Sequence, residues 1–119
     1  MSIFTEQKNR WLDENDLAFC IDQVGYEVSP GHCLVCPKRE VRTVLDMSDD
    51  EWLACLDLIR SAVGRNPADG YNIGVNCGEY AGQSIMHAHI HVIPRYAGDD
   101  TNPRGGVRAV IPGKKSYGG

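Results

Sequence analysis

The sequence predicts an α+β domain built on a mostly antiparallel sheet, and three observations carry that prediction. Four short apolar segments, bounded by Gly, Pro, Asn or Ser, have the length and composition of strands. One longer segment repeats its apolar residues at helical spacing behind a capping box. Their order is strand, strand, helix, strand, strand, which lacks the strict strand–helix alternation of a parallel sheet.

Taken in order, Thr5 to Asp13 is expected to form a short polar helix, with Trp11 and Leu12 anchoring it to the body. Leu17 to Val24 alternates well enough for a first strand. Gly25 and Ser29-Pro30-Gly31 punctuate the turn region before a second strand, Cys33 to Cys36. Ser48 and Glu51 have capping-box spacing and open the main helix. Its apolar positions are Trp52, Cys55, Leu56, Ile59, Ala62 and Val63, and Asn66-Pro67-Ala68-Asp69-Gly70 stops it. Tyr71 to Asn76 and His87 to Pro94 are the remaining strands, joined by the Gly78 to Ser84 loop. With 119 residues the chain can bury one core, so residues 1–119 are read as a single domain without internal repeats.

Composition narrows the function classes. Twelve Lys and Arg against sixteen Asp and Glu give a net charge of −4, and the basic residues are scattered. That argues against a broad nucleic-acid surface while leaving room for a small phosphate pocket. No apolar run approaches the roughly 20 residues that span a bilayer, and the segment from Met1 to Glu6 lacks the apolar stretch of a signal peptide. Neither nucleic acid nor membrane is therefore expected as a partner. Five cysteines inside apolar runs read as reduced thiols and a cytoplasmic setting. Cys33 and Cys36 have zinc-knuckle spacing, but residues three apart in a strand face opposite sides, which favours packing over chelation.

The chemistry concentrates in His87-Ala88-His89-Ile90-His91. Strand alternation turns the three imidazoles to one face, roughly 7 Å apart, and turns Ala88, Ile90 and Val92 to the other. Three readings compete. Packing alone explains strict alternation with apolar partners poorly. A zinc site draws on His-x-His pairs, yet three side chains spread along one strand diverge, and the nearby carboxylates Glu79, Asp99 and Asp100 lie outside the run. Nucleophilic catalysis needs a neutral imidazole that attacks with one nitrogen while the other keeps its proton on an acceptor.

Gly82-Gln83-Ser84-Ile85-Met86 followed by the alternating histidines resembles the signature of the histidine triad family. The segment from Pro30 to Arg39, with Gly31-His32 entering a strand that ends in Pro37-Lys38, resembles that family's first half. The likeness runs from about Leu17 to Arg95 and leaves residues 96–119 as a tail. It implies a five-stranded sheet with one main helix and a two-fold dimer. It also implies a hydrolase that cleaves at the α-phosphate of a purine nucleotide conjugate, either a dinucleoside polyphosphate or a nucleoside phosphoramidate. His89 resembles the nucleophile, and a nucleotidyl-histidine would be hydrolysed to a nucleoside monophosphate. His91 would hold phosphate oxygens, and His87 and His32 would support the row from behind.

By the same resemblance Asn76 and Gln83 contact the phosphate, Ser84 stands near the departing atom, and Asp22 grips the ribose. Satisfying turns is the plainer reading of the three loop residues. The stretch from Asp22 to His32 is longer than is common in the family. Ile3, Phe4 and Phe19 suit the wall of a base pocket and a core equally well. No cofactor is implied, apart from a divalent cation accompanying a polyphosphate substrate. Related nucleotidyltransferases and phosphorylases share the nucleophile but carry Gln where His91 stands, and a nucleotide-binding regulator with little turnover is a third class. Arg104 and Arg108 in the tail fit either closure over phosphates or a solvated loop.

Overall fold

A computed structural model of the chain describes residues 2–23 and 25–116. Val24, the expected end of the first strand, lies outside the described residues, as do Met1 and residues 117–119. A short helix, α1 (Ile3–Glu6), and a 3-10 turn at Lys8–Arg10 precede β1 (Trp11–Glu14). Then come β2 (Ala18–Asp22), β3 (Cys33–Pro37), the main helix α2 (Asp49–Arg65), β4 (Gly70–Gly74) and β5 (Ile90–Arg95). The five strands form one antiparallel sheet in the order β1-β2-β3-β5-β4. No helix among the described residues is long and apolar enough to cross a membrane.

The sheet has two different faces. On one, α2 buries Cys55, Leu58 and Ala62 against Ala18, Cys20, Cys33, Val35, Ala88, Ile90 and Val92. On the other, Phe4, Phe19, Ile21, Leu34 and Cys36 form a second cluster closed by Trp11 and Ile85. Cys33 and Cys36 therefore fall into different clusters, as alternation requires. All five cysteines are free thiols, four of them buried. Ser48 caps α2 through the backbone N–H of Glu51, and the Glu51 carboxylate accepts from the Ser48 N–H and from Arg39.

Three expectations need correction. The helix expected from Thr5 to Asp13 is confined to α1, and Trp11 starts a strand. Its indole stacks on Phe19 at 3.9 Å and its partner in the ladder is Ile21, so pairing with β2 overrides the local preference. Trp52 and Leu56 do not face the sheet. Leu58 takes that place and leaves both residues exposed, because a short amphipathic pattern leaves the rotation of the helix open by about one residue, 100°. The last strand begins at Ile90 rather than His87, and the fourth ends at Gly74 rather than Asn76.

Candidate functional site

The histidines arise where the chain leaves an irregular loop and joins the sheet. His91 lies on β5 between Leu34 of β3 and Gly74 of β4. His87 and His89 sit just upstream, in non-strand backbone that keeps the alternation, since Ala88 still packs under α2. The rings are closer than a regular strand would set them, with His89 and His91 centroids 5.4 Å apart.

His32 reaches the site through the Ser29-Pro30-Gly31 turn. Gly31 adopts a left-handed φ of +89°, and a Cβ there would meet Asn66 Oδ1 at 2.9 Å, so glycine is required twice over. Ser29 Oγ donates to the Pro94 carbonyl at 2.7 Å, pinning the turn to β5. The resemblance put His32 with His87 as support behind the row, but the two act at different places, His87 on Ser2 and Pro37. His32 meets His91, with His32 Nε2 at 2.9 Å from His91 Nδ1.

Fixed backbone groups settle the proton on each ring. The Val28 N–H donates to His32 Nδ1 at 3.1 Å, so His32 carries its hydrogen on Nε2 and donates it to His91 Nδ1. His91 must then hold its own hydrogen on Nε2, as a donor. His89 Nδ1 lies 2.7 Å from the His87 carbonyl, which only accepts, so Nδ1 is the protonated nitrogen and the Nε2 lone pair is free. His87 Nε2 donates to the Pro37 carbonyl at 2.7 Å, while its Nδ1 takes the Ser2 hydroxyl at 2.5 Å.

Burial lowers the pKa of all four rings by disfavouring the charged form. The His91 ring is pushed down to about 4, with the neighbouring His89 and His32 adding to burial. At His87 and His89 the carbonyls of Pro37 and His87 pull the other way without reversing it. At neutral pH the site is therefore a row of neutral imidazoles with assigned donors and acceptors. One nucleophilic lone pair, on His89, stands beside one hydrogen-bond donor, on His91.

The polar residues expected around the row are only partly brought together. Asn76 and His91 line one cavity of about 340 Å³, with Val107 and Val110 of the 3-10 turn at Gly106–Val110 as its far wall. Ser84 is exposed in the loop before the histidines. Gln83 is buried and fully engaged: its Nε2 donates to the Arg42 and Ile85 carbonyls and its Oε1 accepts from the Gly78 N–H. Its amide hydrogens hold the loop and are not offered to a phosphate, a correction to the expected contact. Asp22 alternates with Ala18 and Cys20, on the face opposite the histidines, and its carboxylate is bound by Arg10. It therefore stands apart from the row.

Ser2, the Pro37 carbonyl and the Val28 N–H are site components the sequence reading missed. Ser2 lies 85 positions from His87, and backbone groups carry no residue signature, so no local pattern points to them.

Comparisons with known proteins fit this geometry. A family model described as the HIT domain matches residues 5–98. A bis(5'-adenosyl)-triphosphatase of Dictyostelium discoideum is 39% identical over 79 residues, covering 63% of this chain and 53% of that protein. An AP-4-A phosphorylase of Mycobacterium tuberculosis is 35% identical over 79 residues, covering 62% of this chain and 40% of that protein. The matched region thus spans about half or less of these two curated relatives. Among solved structures, a hypothetical histidine triad nucleotide-binding protein of Sulfolobus tokodaii superposes with a TM-score of 0.70 at 29% identity, over 81% of this chain and 67% of that one.

Proposed function

The chain belongs to the HIT domain family, and from that premise we propose that it is a nucleotide hydrolase acting at the α-phosphate of purine nucleotide conjugates. The observation that carries this reading is the 2.7 Å bond from His89 Nδ1 to the His87 carbonyl, which leaves Nε2 of this buried ring unprotonated. His89 Nε2 attacks the α-phosphorus, the bond to the leaving oxygen or nitrogen breaks, and the leaving group takes up a proton. Water then attacks the phosphorus, releasing a nucleoside monophosphate and restoring neutral His89. His91 Nε2–H donates to the phosphate oxygens as charge grows on them, a donor already in place before reaction. Asn76 is assigned to the same phosphate and Ser84 to the departing atom.

A phosphorylase is the second reading, favoured by the likeness to the AP-4-A phosphorylase, with inorganic phosphate in place of water. The histidine at position 91 favours water as the acceptor. No cofactor enters either scheme, although a divalent cation would accompany a polyphosphate substrate. The free cysteines suit a reducing cytoplasm. We also propose a two-fold dimer, because β4 is an open sheet edge and Ile73, Val75, Trp52 and Leu53 leave apolar surface uncovered. Sedimentation at micromolar protein should then give twice the chain mass.

The deciding experiment measures AMP release from a diadenosine polyphosphate and from an adenosine phosphoramidate, with and without inorganic phosphate and with excess chelator. A hydrolase releases AMP without phosphate, tolerates chelator on the phosphoramidate, and yields an acid-labile adenylyl-protein on quenching. Formation of ADP in place of AMP, only when inorganic phosphate is present, selects the phosphorylase. Loss of activity on chelation, with no trapped nucleotide, would make the histidines metal ligands and overturn the mechanism.

A further inference from the structure

We infer that Ser2 is a positioning residue for the nucleophile, acting through His87; the inference rests on the reading of His89 given above. His87 is fully buried and never reaches a ligand, yet both of its nitrogens are engaged. Nε2 donates to the Pro37 carbonyl, so Nδ1 is an acceptor that needs a donor. The Ser2 hydroxyl supplies it from 85 positions away in the sequence. The His87 carbonyl, held on this clamped residue, is the group that receives the His89 Nδ1–H. A single hydrogen-bond path therefore runs from Ser2 across the His87 ring, along its backbone and into the His89 imidazole.

The N-terminal segment makes the same connection a second time. The Ser2 hydroxyl also caps α1, and the Thr5 hydroxyl donates to the Ser2 carbonyl at 3.0 Å, so the capped turn presents Phe4 at a set height. The Phe4 ring meets the His89 ring edge-on at 5.2 Å and tilts over His87 at 5.7 Å. Ser2 and Phe4 thus hold the two upstream histidines from one side, while β5 holds His91 from the other. This division follows from the strand starting only at Ile90: ladder pairing fixes His91, whereas His87 and His89 lie outside the strand and are held by the N-terminal segment together with the Pro37 carbonyl and the bond from the Ala88 N–H to the Val41 carbonyl. Removing the Ser2 hydroxyl leaves a buried acceptor unpaired, and the His87 ring beneath the nucleophile then keeps only its bond to Pro37 and the backbone bond from the Ala88 N–H to the Val41 carbonyl.

The test compares wild type with Ser2→Ala and Ser2→Thr for AMP release from an adenosine phosphoramidate, together with imidazole ¹⁵N signals of His87 and His89. Ser2→Ala should lower kcat by about 10-fold with KM unchanged, and Ser2→Thr, which keeps the hydroxyl, should restore most of it. The His87 Nδ1 and His89 Nδ1 signals should move in Ser2→Ala and return in Ser2→Thr. A wild-type kcat in Ser2→Ala, an effect on KM alone, or a Thr variant as impaired as the Ala variant would each overturn the inference. If wild-type protein releases no AMP from any conjugate, the proposed function fails instead. The ring signals then decide the positioning role: unchanged in Ser2→Ala they refute it, and moved in Ala but restored in Thr they support it.

Discussion

On one flank of the histidine row stand Phe4, Phe19 and Trp11; on the other stand Val107 and Val110. The first flank is core: Phe4 and Phe19 are buried, Trp11 stacks on Phe19, and Phe4 and Phe19 touch the His87 ring. The second is a one-turn 3-10 segment in the tail, with Val107 68% and Val110 76% exposed. The first borders His87 and His89 and the second borders the cavity of His91, yet only the first is buried. A buried side chain on the first flank cannot change without moving the histidine row, whereas the tail flank can vary with little cost to the fold. Placement of the imidazoles is thus tied to stability on one side, and room for variation is left on the other.

The row itself should show the largest effect. His89→Ala is expected to lower AMP release by about 10⁴-fold or more, roughly 5 kcal/mol of transition-state stabilisation, with AMP binding retained through His91 and Asn76. A residual rate within 100-fold of wild type would rule out His89 as nucleophile. Next comes the buried flank. Phe19→Ala should cost about 3–5 kcal/mol in urea unfolding, since it empties a fully buried ring site between Trp11 and His87. A cost below 1 kcal/mol would break the tie between this flank and the core.

Acid sharpens the comparison from within. Each ring has a lower pKa folded than unfolded, so below about pH 6.5 the unfolded chain binds more protons, and stability falls as pH drops from there towards 4. Above pH 6.5 these groups contribute no slope. The loss from His91 alone should be on the order of 2–3 kcal/mol by pH 4, read as the shift in urea midpoint between pH 7 and 4. Replacing His91 by Asn should flatten that dependence; an unchanged slope would assign it to other groups. The smallest effect belongs to the open flank. Val107→Ala should change unfolding free energy by less than about 0.5 kcal/mol, and a loss near that of Phe19→Ala would show the tail to be part of the core.

Ser48 and Glu51 announced α2, and the alternation from His87 to His91 announced a one-sided row, because capping and strand period are local properties of the chain. Resemblance carried the family and the five-stranded sheet. Local reading failed where pairing or packing decided. Trp11 joined a strand because β2 was there to pair with it, and Leu58 faced the sheet in place of Leu56 because the rotation of α2 is set by the surface it lands on. Gln83 looked like a phosphate contact and became a loop brace, since the carbonyls of Arg42 and Ile85 reach it only in the folded loop. The sequence by itself determined that His87, His89 and His91 form one row, for imidazoles at alternate positions need only a near-extended backbone to share a face. Tertiary structure alone decided which nitrogen of each is free, because the deciding partners are the His87 and Pro37 carbonyls, the Val28 N–H and the Ser2 hydroxyl. Three of those four are backbone groups without a residue signature, and the fourth meets its histidine only when segments 85 positions apart come together.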